Sequence, residues 1–207
     1  MEYQRDYLEV SPEMISFDRE LLLWLNGFAG SYKALDNFIL LIASDYLMPL
    51  VFSLSMFGLW FVGNGIVERR RYQMIVLLGI SSIGLSNVAV YVVNVIWSRP
   101  RPFLEIEAIN TMFYHATDPS FPANPVAVGF AASSAIWLAN RKFGYWLMSL
   151  SLIYGFSRVY SGVFYPTDII GGGLIGMAVT YFTIYLHRFL QPVSKLFIRA
   201  VQGLSIG

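Results

Sequence analysis

The sequence predicts an all-α membrane protein, a polytopic bundle of five to six transmembrane helices in a single domain over residues 1–207. Of its 207 residues, 56% are hydrophobic and 13% are charged, which is about half the charged fraction of a typical soluble domain. Three runs, residues 46–67, 72–98 and 119–140, contain no Asp, Glu, Lys or Arg. Each is long enough for a membrane span of about 20 residues. Membrane lipids are therefore expected partners, and a net charge of +1 implies no nucleic-acid partner.

The N-terminal segment, residues 1–45, differs from the rest of the chain. It holds eight of the thirteen acidic residues, and its apolar stretches are too short to cross a membrane. We interpret it as an amphipathic segment lying in the membrane interface, with a broken sixth span as the alternative. Asp18, ahead of Arg19, fits the N-cap position of a helix within this segment.

The transmembrane bundle is predicted over residues 46–190. Beyond the three charge-free runs, a fourth span covers residues 143–167, interrupted by Arg158, and a fifth covers residues 169–187. After Pro192, apolar and basic residues alternate at helical spacing. This pattern predicts a short amphipathic cytoplasmic tail over residues 191–207.

The basic residues predict the orientation of the bundle. If the spans alternate, eight of the fourteen basic residues fall on one side, which is expected to be cytoplasmic; they are Arg69, Arg70, Arg71, Arg141, Lys142, Arg188, Lys195 and Arg199. The loops on the other side contain only Arg99, Arg101 and Arg158. Single arginines at helix ends can snorkel to head groups, but three on the disfavoured side indicate a function.

The neighbours of these arginines predict an anion site. Segments 98–103, 120–125 and 157–168 end or begin spans on the same face of the predicted bundle. Arginine pairs bidentately with phosphate, and helix N-termini offer free amide donors. Asp168, at the head of a span, is costly unless it is paired or faces a polar cavity.

Longer stretches carry a resemblance to a known family. They are Leu25 to Gly30, Gly58 to Phe61, Arg99 to Phe103, His115 to Pro122 and Gly155 to Arg158. On these stretches the chain resembles the type 2 phosphatidic acid phosphatases over nearly its whole length, and most of all the undecaprenyl-diphosphate phosphatases of the bacitracin-resistance type. The resemblance implies a six-helix or similar bundle in a bacterial-type cell membrane, with the site facing outward. It also implies a histidine nucleophile, a second histidine as acid, an orienting aspartate, phosphate-holding lysine and arginines, and no metal or cofactor.

The phosphate-holding positions of the family are partly retained. The signature KxxxxxxRP ends in Arg101, but Asn94 stands where the lysine is expected. With Arg99, Arg158 and Asn124, these residues are the predicted phosphate-binding set.

The catalytic positions are degenerate. In the signature PSGH the acid histidine is replaced by Pro125, and in SRxxxxxHxxxD the nucleophile is replaced by Phe164, although Asp168 is kept. Neither a phenyl ring nor a proline can take the role of an imidazole, so we predict no catalytic residue.

Two functions remain open. The first is a pseudoenzyme that binds a lipid phosphate or polyprenyl diphosphate, or that serves as a subunit beside other membrane proteins. The alternative is a divergent phosphohydrolase for undecaprenyl diphosphate or phosphatidic acid, for which His115 is the histidine in the outer loops. A flippase of lipid phosphates is a third, weaker hypothesis. No metal-ligand spacing is present, so we predict neither a metal nor a cofactor.

Overall fold

The computed structural model describes residues 12–112 and 116–204, and the side chains of residues 17–112 and 116–189. Within these ranges the secondary structure is helical, with no strand. The helices are α1 (Pro12–Asn26), α2 (Lys33–Ala43), α3 (Leu47–Phe61), α4 (Ile66–Ile96), α5 (Pro102–Glu105), α6 (Asn124–Ala139), α7 (Arg141–Tyr160) and α8 (Pro166–Leu204). The predicted fold class is confirmed.

Helix α6 forms the centre of the bundle, packed against α3, α4, α7 and α8. Its middle is built from small residues that are fully buried, among them Ala127 and Ala131. Gly172 and Gly176 of α8 face the backbone of α6, where an added Cβ would collide with the carbonyl oxygens of Ala123 and Ala127. Small residues on both helices therefore permit the close approach, as is common between membrane helices.

Helices occupy each of the five predicted spans. By length and composition, α4 and α8 can cross a membrane on their own, and α6 is a shorter apolar helix. Helices α2 and α3 pass the same test only together, with a bend of 49° at the break between them. By this test α2 and α3 count as one bent span, so α2 does not add a separate sixth span. The interfacial placement of residues 1–45 stays a prediction.

The N-terminal helices are docked onto the bundle by polar contacts. Along α1, Asp18, Leu22 and Asn26 are buried at helical spacing, whereas Phe17 and Trp24 are exposed. The Asn26 amide nitrogen donates to the carbonyl oxygen of Tyr160 at 2.8 Å. The exposed side of α1 also carries the charged Arg19 and Glu20, so this face mixes aromatic and charged side chains.

One expectation for the N-terminal segment is wrong. Asp18 is not an N-cap, because α1 begins at Pro12 and Asp18 lies well inside it. At the other end, residues 191–204 of the predicted tail are helical and continue α8, which runs past Pro192 to Leu204; their amphipathic, cytoplasmic character stays a prediction.

Candidate functional site

A cavity of about 370 Å³ lies where the break between α2 and α3 meets the start of α6 and the end of α7. This volume is within the range of small-molecule sites in proteins. Its polar lining residues are Asp45, Arg101, Asp118, Asn124 and Arg158, and its apolar lining includes Pro49, Phe52, Met56, Ile83 and Val128. The cavity is therefore lined by both charged and apolar side chains.

Arg101 is buried, with 3% of its surface exposed. Its Nη2 donates to Oδ1 of Asp118 at 2.9 Å, and its Nε donates to the Asp118 carbonyl oxygen at 2.8 Å. A third bond, from Nη1, reaches the carbonyl oxygen of Val163 at 3.2 Å. The guanidinium lies over the ring of Phe164, 4.4 Å from its centroid. These contacts hold the positive charge rigidly at the cavity wall.

Arg158 occupies the same cavity from α7 and is 2% exposed. Its Nη2 donates to Oδ1 of Asp45 and to the hydroxyl of Tyr154, the latter at 2.9 Å. Asp45 comes from the break between α2 and α3, so this ion pair joins two distant parts of the chain. The side chains of Asp45 and Asp118 are 46% and 59% exposed, which places the carboxylates on the solvent side of the arginines.

Arg99 lies outside the cavity lining and is bonded to other groups. Its Nη2 donates to Oδ2 of Asp18 at 2.6 Å, and its Nη1 donates to Asp168 Oδ1 and to the hydroxyl of Thr167, each at 2.8 Å. Burial by itself lowers the pKa of Arg99, but the attraction of Asp168 and Asp18 outweighs burial and raises the pKa above its ordinary value. Arg99 is not among the residues that line the cavity, so the arginines available to a ligand there are Arg101 and Arg158.

Asp168 is fully buried and belongs to the Arg99 cluster. Its Oδ2 accepts from the backbone N–H of Tyr165 at 2.8 Å. The Tyr165 ring stacks on the Arg99 guanidinium at 3.9 Å, and its hydroxyl donates to Glu105 at 2.8 Å. Burial and the Glu105 carboxylate raise the pKa of Tyr165, which keeps the hydroxyl protonated as a donor. Both oxygens of Asp168 thus have partners within the cluster.

The two predicted asparagines differ in their placement. Asn124 lines the cavity, but its amide nitrogen donates to Oδ1 of Asn87 at 3.0 Å. Its remaining atom, Oδ1, is buried and accepts no hydrogen bond within the described residues, so Asn124 presents an acceptor where a phosphate would need a donor. Asn94 is not among the lining residues, and its Oδ1 is likewise buried without a partner in the described part of the chain.

Pro125 and Phe164 form part of the cavity wall beside Arg101 and Arg158. Pro125 lies at the start of α6 and has no backbone N–H to offer an anion. The Phe164 side chain is 3% exposed and has no nucleophilic atom. The structure thus brings five of the eight predicted site residues together in the cavity lining. Arg99 and Asp168 lie in the Arg99 cluster, and Asn94 is not among the lining residues. His115 lies outside the described residues.

Three acidic residues at the site were not predicted. Asp45 and Asp118 pair with the cavity arginines, and Asp18 pairs with Arg99. For Asp45 and Asp118 the available signal was an aspartate directly beside an apolar run on the face that carries the arginines. For Asp18 the sequence offers no such signal, because its partners are 81 and 149 residues away.

Comparisons with known proteins agree with this architecture. The family model described as PAP2 superfamily matches residues 74–192. The chain is 27% identical over 185 residues to "Undecaprenyl-diphosphatase BcrC" of Bacillus subtilis, covering 89% of this chain and 92% of that protein. It is 29% identical over 154 residues to "Putative undecaprenyl-diphosphatase YbjG" of Escherichia coli, covering 74% of each chain.

Solved structures share the fold. Aquifex aeolicus LpxE superimposes with a TM-score of 0.67 at 22% identity, covering 87% of this chain and 99% of that chain. A PAP2 type phosphatidylglycerolphosphate phosphatase from Bacillus subtilis superimposes with a TM-score of 0.62 at 17% identity, covering 87% and 89% of the two chains.

Proposed function

Because the chain belongs to the PAP2 superfamily, a family of membrane phosphatases, while its catalytic histidine positions hold Phe164 and Pro125, we propose that it is a pseudoenzyme. In this proposal it holds a lipid phosphate or polyprenyl diphosphate in the cavity and does not cleave it by the histidine route of the family. The observation that carries the proposal is the presence of Phe164 and Pro125 on the same cavity wall as Arg101 and Arg158.

The loss of chemistry follows from these side chains. A phosphoenzyme requires a nucleophile activated by a partner, and Phe164 supplies no lone pair. Asp168, which would orient a histidine, instead accepts hydrogen bonds from Arg99 Nη1 and from the backbone N–H of Tyr165. Removing one member of such a unit costs most of the rate, and here two positions have changed.

The retention of binding follows from the arginines. Buried guanidinium groups are strong partners for phosphate because their hydrogen bonds are charge-assisted and bidentate. Arg158 and Arg101 now donate to the Oδ1 atoms of Asp45 and Asp118, and phosphate oxygens would bind the same two guanidinium groups beside these carboxylates. Beyond them, Phe52 and Met56 of α3 extend the cavity towards the bundle interior, where an acyl or prenyl chain would lie.

The cavity is proposed to face outward across a bacterial-type cell membrane. The support is the position of the basic loops, because Arg69 to Arg71 and Arg141 with Lys142 begin α4 and α7, whereas the cavity lies at the opposite end of α7. Basic residues favour the cytoplasmic side.

Two measurements on the purified chain test the proposal. First, no phosphate release from undecaprenyl diphosphate or phosphatidic acid is expected above that of the Arg158→Ala variant. Second, phosphate-bearing lipids are expected to bind more tightly than diacylglycerol with the same chains. Arg101→Ala or Arg158→Ala should weaken that binding by about 1.5–3 kcal/mol, the usual worth of hydrogen bonds to charged groups, and Lys at either position should restore it only in part.

Phosphate release that disappears in Arg158→Ala would overturn the proposal and favour the divergent phosphohydrolase. A matched gain-of-function series adds to the test. Phe164→His alone should permit at most slow phosphoenzyme formation, whereas combining it with Pro125→His and Asn94→Lys should give more than the sum of the single changes, because the groups act as a unit.

A further inference from the structure

We propose that the head group held in this cavity is a zwitterion that carries a primary ammonium beside its phosphate, such as a phosphoethanolamine lipid. The inference rests on the proposed function, because it specifies which lipid phosphate the same cavity takes. It is carried by the two carboxylates that pair with the arginines of the cavity.

The charge of the cavity is balanced. Its charged lining residues within the described part of the chain are Arg101 and Arg158, and Asp45 and Asp118. A phosphate monoester, with nearly two negative charges at neutral pH, would add uncompensated charge beside two aspartates. A phosphodiester with an ammonium brings one charge of each sign and leaves the cavity neutral, so it meets no such repulsion.

The groups that line the cavity match the parts of such a lipid. Apolar residues of α3, among them Phe52 and Met56, could contact the acyl chains. The arginines are buried, with 3% and 2% exposure, and could bind the phosphate. The Asp45 and Asp118 side chains are half-exposed, nearer the solvent, and could accept from the ammonium.

The hydrogen-bonding groups favour a primary ammonium over a quaternary one. The two carboxylates of the cavity, on Asp45 and Asp118, are half-exposed. An –NH₃⁺ group has three N–H donors that can bind carboxylate oxygens, whereas a trimethylammonium group has none.

Native mass spectrometry of the full chain in detergent can measure the preference. Four lipids with identical acyl chains are compared: phosphatidylethanolamine, phosphatidylcholine, phosphatidic acid and diacylglycerol. We expect phosphatidylethanolamine to bind about tenfold more tightly than phosphatidic acid or phosphatidylcholine, with diacylglycerol weakest. Asp45→Asn and Asp118→Asn should each abolish the preference over phosphatidic acid, because each removes one negative charge. Glu107→Gln, at an exposed acidic residue outside the cavity, should change nothing.

The outcomes separate this inference from the proposed function. Phosphatidic acid binding as tightly as phosphatidylethanolamine, with diacylglycerol still weak, would overturn the zwitterion and leave phosphate binding intact. Equal binding of phosphatidylcholine and phosphatidylethanolamine would overturn the role of the ammonium donors. Equal binding of all four lipids would overturn the proposed function itself. Because the comparison is made on the unmodified protein, it stands even if an aspartate variant fails to fold.

Discussion

The contacts of Arg99 predict a large loss of folding stability when this residue is replaced. Arg99 is the cation between two buried carboxylates, Asp18 and Asp168, whose side chains are 2% and 0% exposed. Replacing Arg99 by Met would leave both carboxylates buried with no cation between them. Removing one partner of a buried ion pair typically costs 3–5 kcal/mol, and with two carboxylates left behind we expect about 5 kcal/mol.

Neutralising Asp18 should cost much less. Asp18→Asn leaves Arg99 paired one to one with Asp168, and the amide oxygen can still accept from the backbone N–H of Thr167, now 3.0 Å from Asp18 Oδ1. The losses are the charge-assisted bond from Arg99 Nη2, worth about 1.5–3 kcal/mol, and the bond that the Thr167 hydroxyl donates to the same Oδ2. In the background of Arg99→Met, however, Asp18→Asn removes a repelling charge and should restore stability.

Unfolding by SDS in mixed micelles, followed by tryptophan fluorescence, can measure these free energies. The expected order of stability is wild type, Asp18→Asn, the double variant, and last Arg99→Met. Arg70→Met, at an exposed arginine, is the matched control and should show no measurable change. If the double variant is less stable than Arg99→Met by the full cost of Asp18→Asn, the two residues are energetically independent and the proposed cluster is refuted.

Two further predictions concern packing and orientation. Gly176→Leu should reduce the folded, monodisperse fraction on size-exclusion chromatography, because the new Cβ alone would collide with the carbonyl oxygen of Ala127. Such overpacking costs about 1–3 kcal/mol or more. As the control, Gly58→Leu should behave like wild type, because an added Cβ there meets nothing within 4 Å. Since the chain has no cysteine, single introduced cysteines can be labelled without background. In intact cells, Arg70→Cys should be protected from an impermeant thiol reagent and Glu107→Cys should be labelled. The reverse pattern would contradict the outward-facing cavity.

The sequence by itself predicted the helical bundle and the location of its spans. Apolar run length and the placement of charge are properties of the linear chain. A long apolar run in a bilayer forms a helix, because its backbone polar groups must bond to one another where no water is present. Where the expectation was wrong, at the start of α1, the signal was a single residue, Asp18, and the helix in fact begins six residues earlier, at Pro12. The sequence also placed Phe164 and Pro125 at the positions that define catalysis, because those positions lie in short signatures of fixed spacing.

Only the tertiary structure decided which carboxylate each arginine meets. Three arginines on one face appeared equivalent in the sequence, yet Arg99 is paired with buried carboxylates outside the cavity lining, while Arg101 and Arg158 line the cavity. The partners of Arg158 and Arg99 include Asp45 and Asp18, at separations of 113 and 81 residues. Such pairings depend on the angle at which α2 meets α3 and on where α1 docks. Those are set by side-chain packing among distant helices, because a buried charge must find its counter-charge wherever the fold brings one within reach.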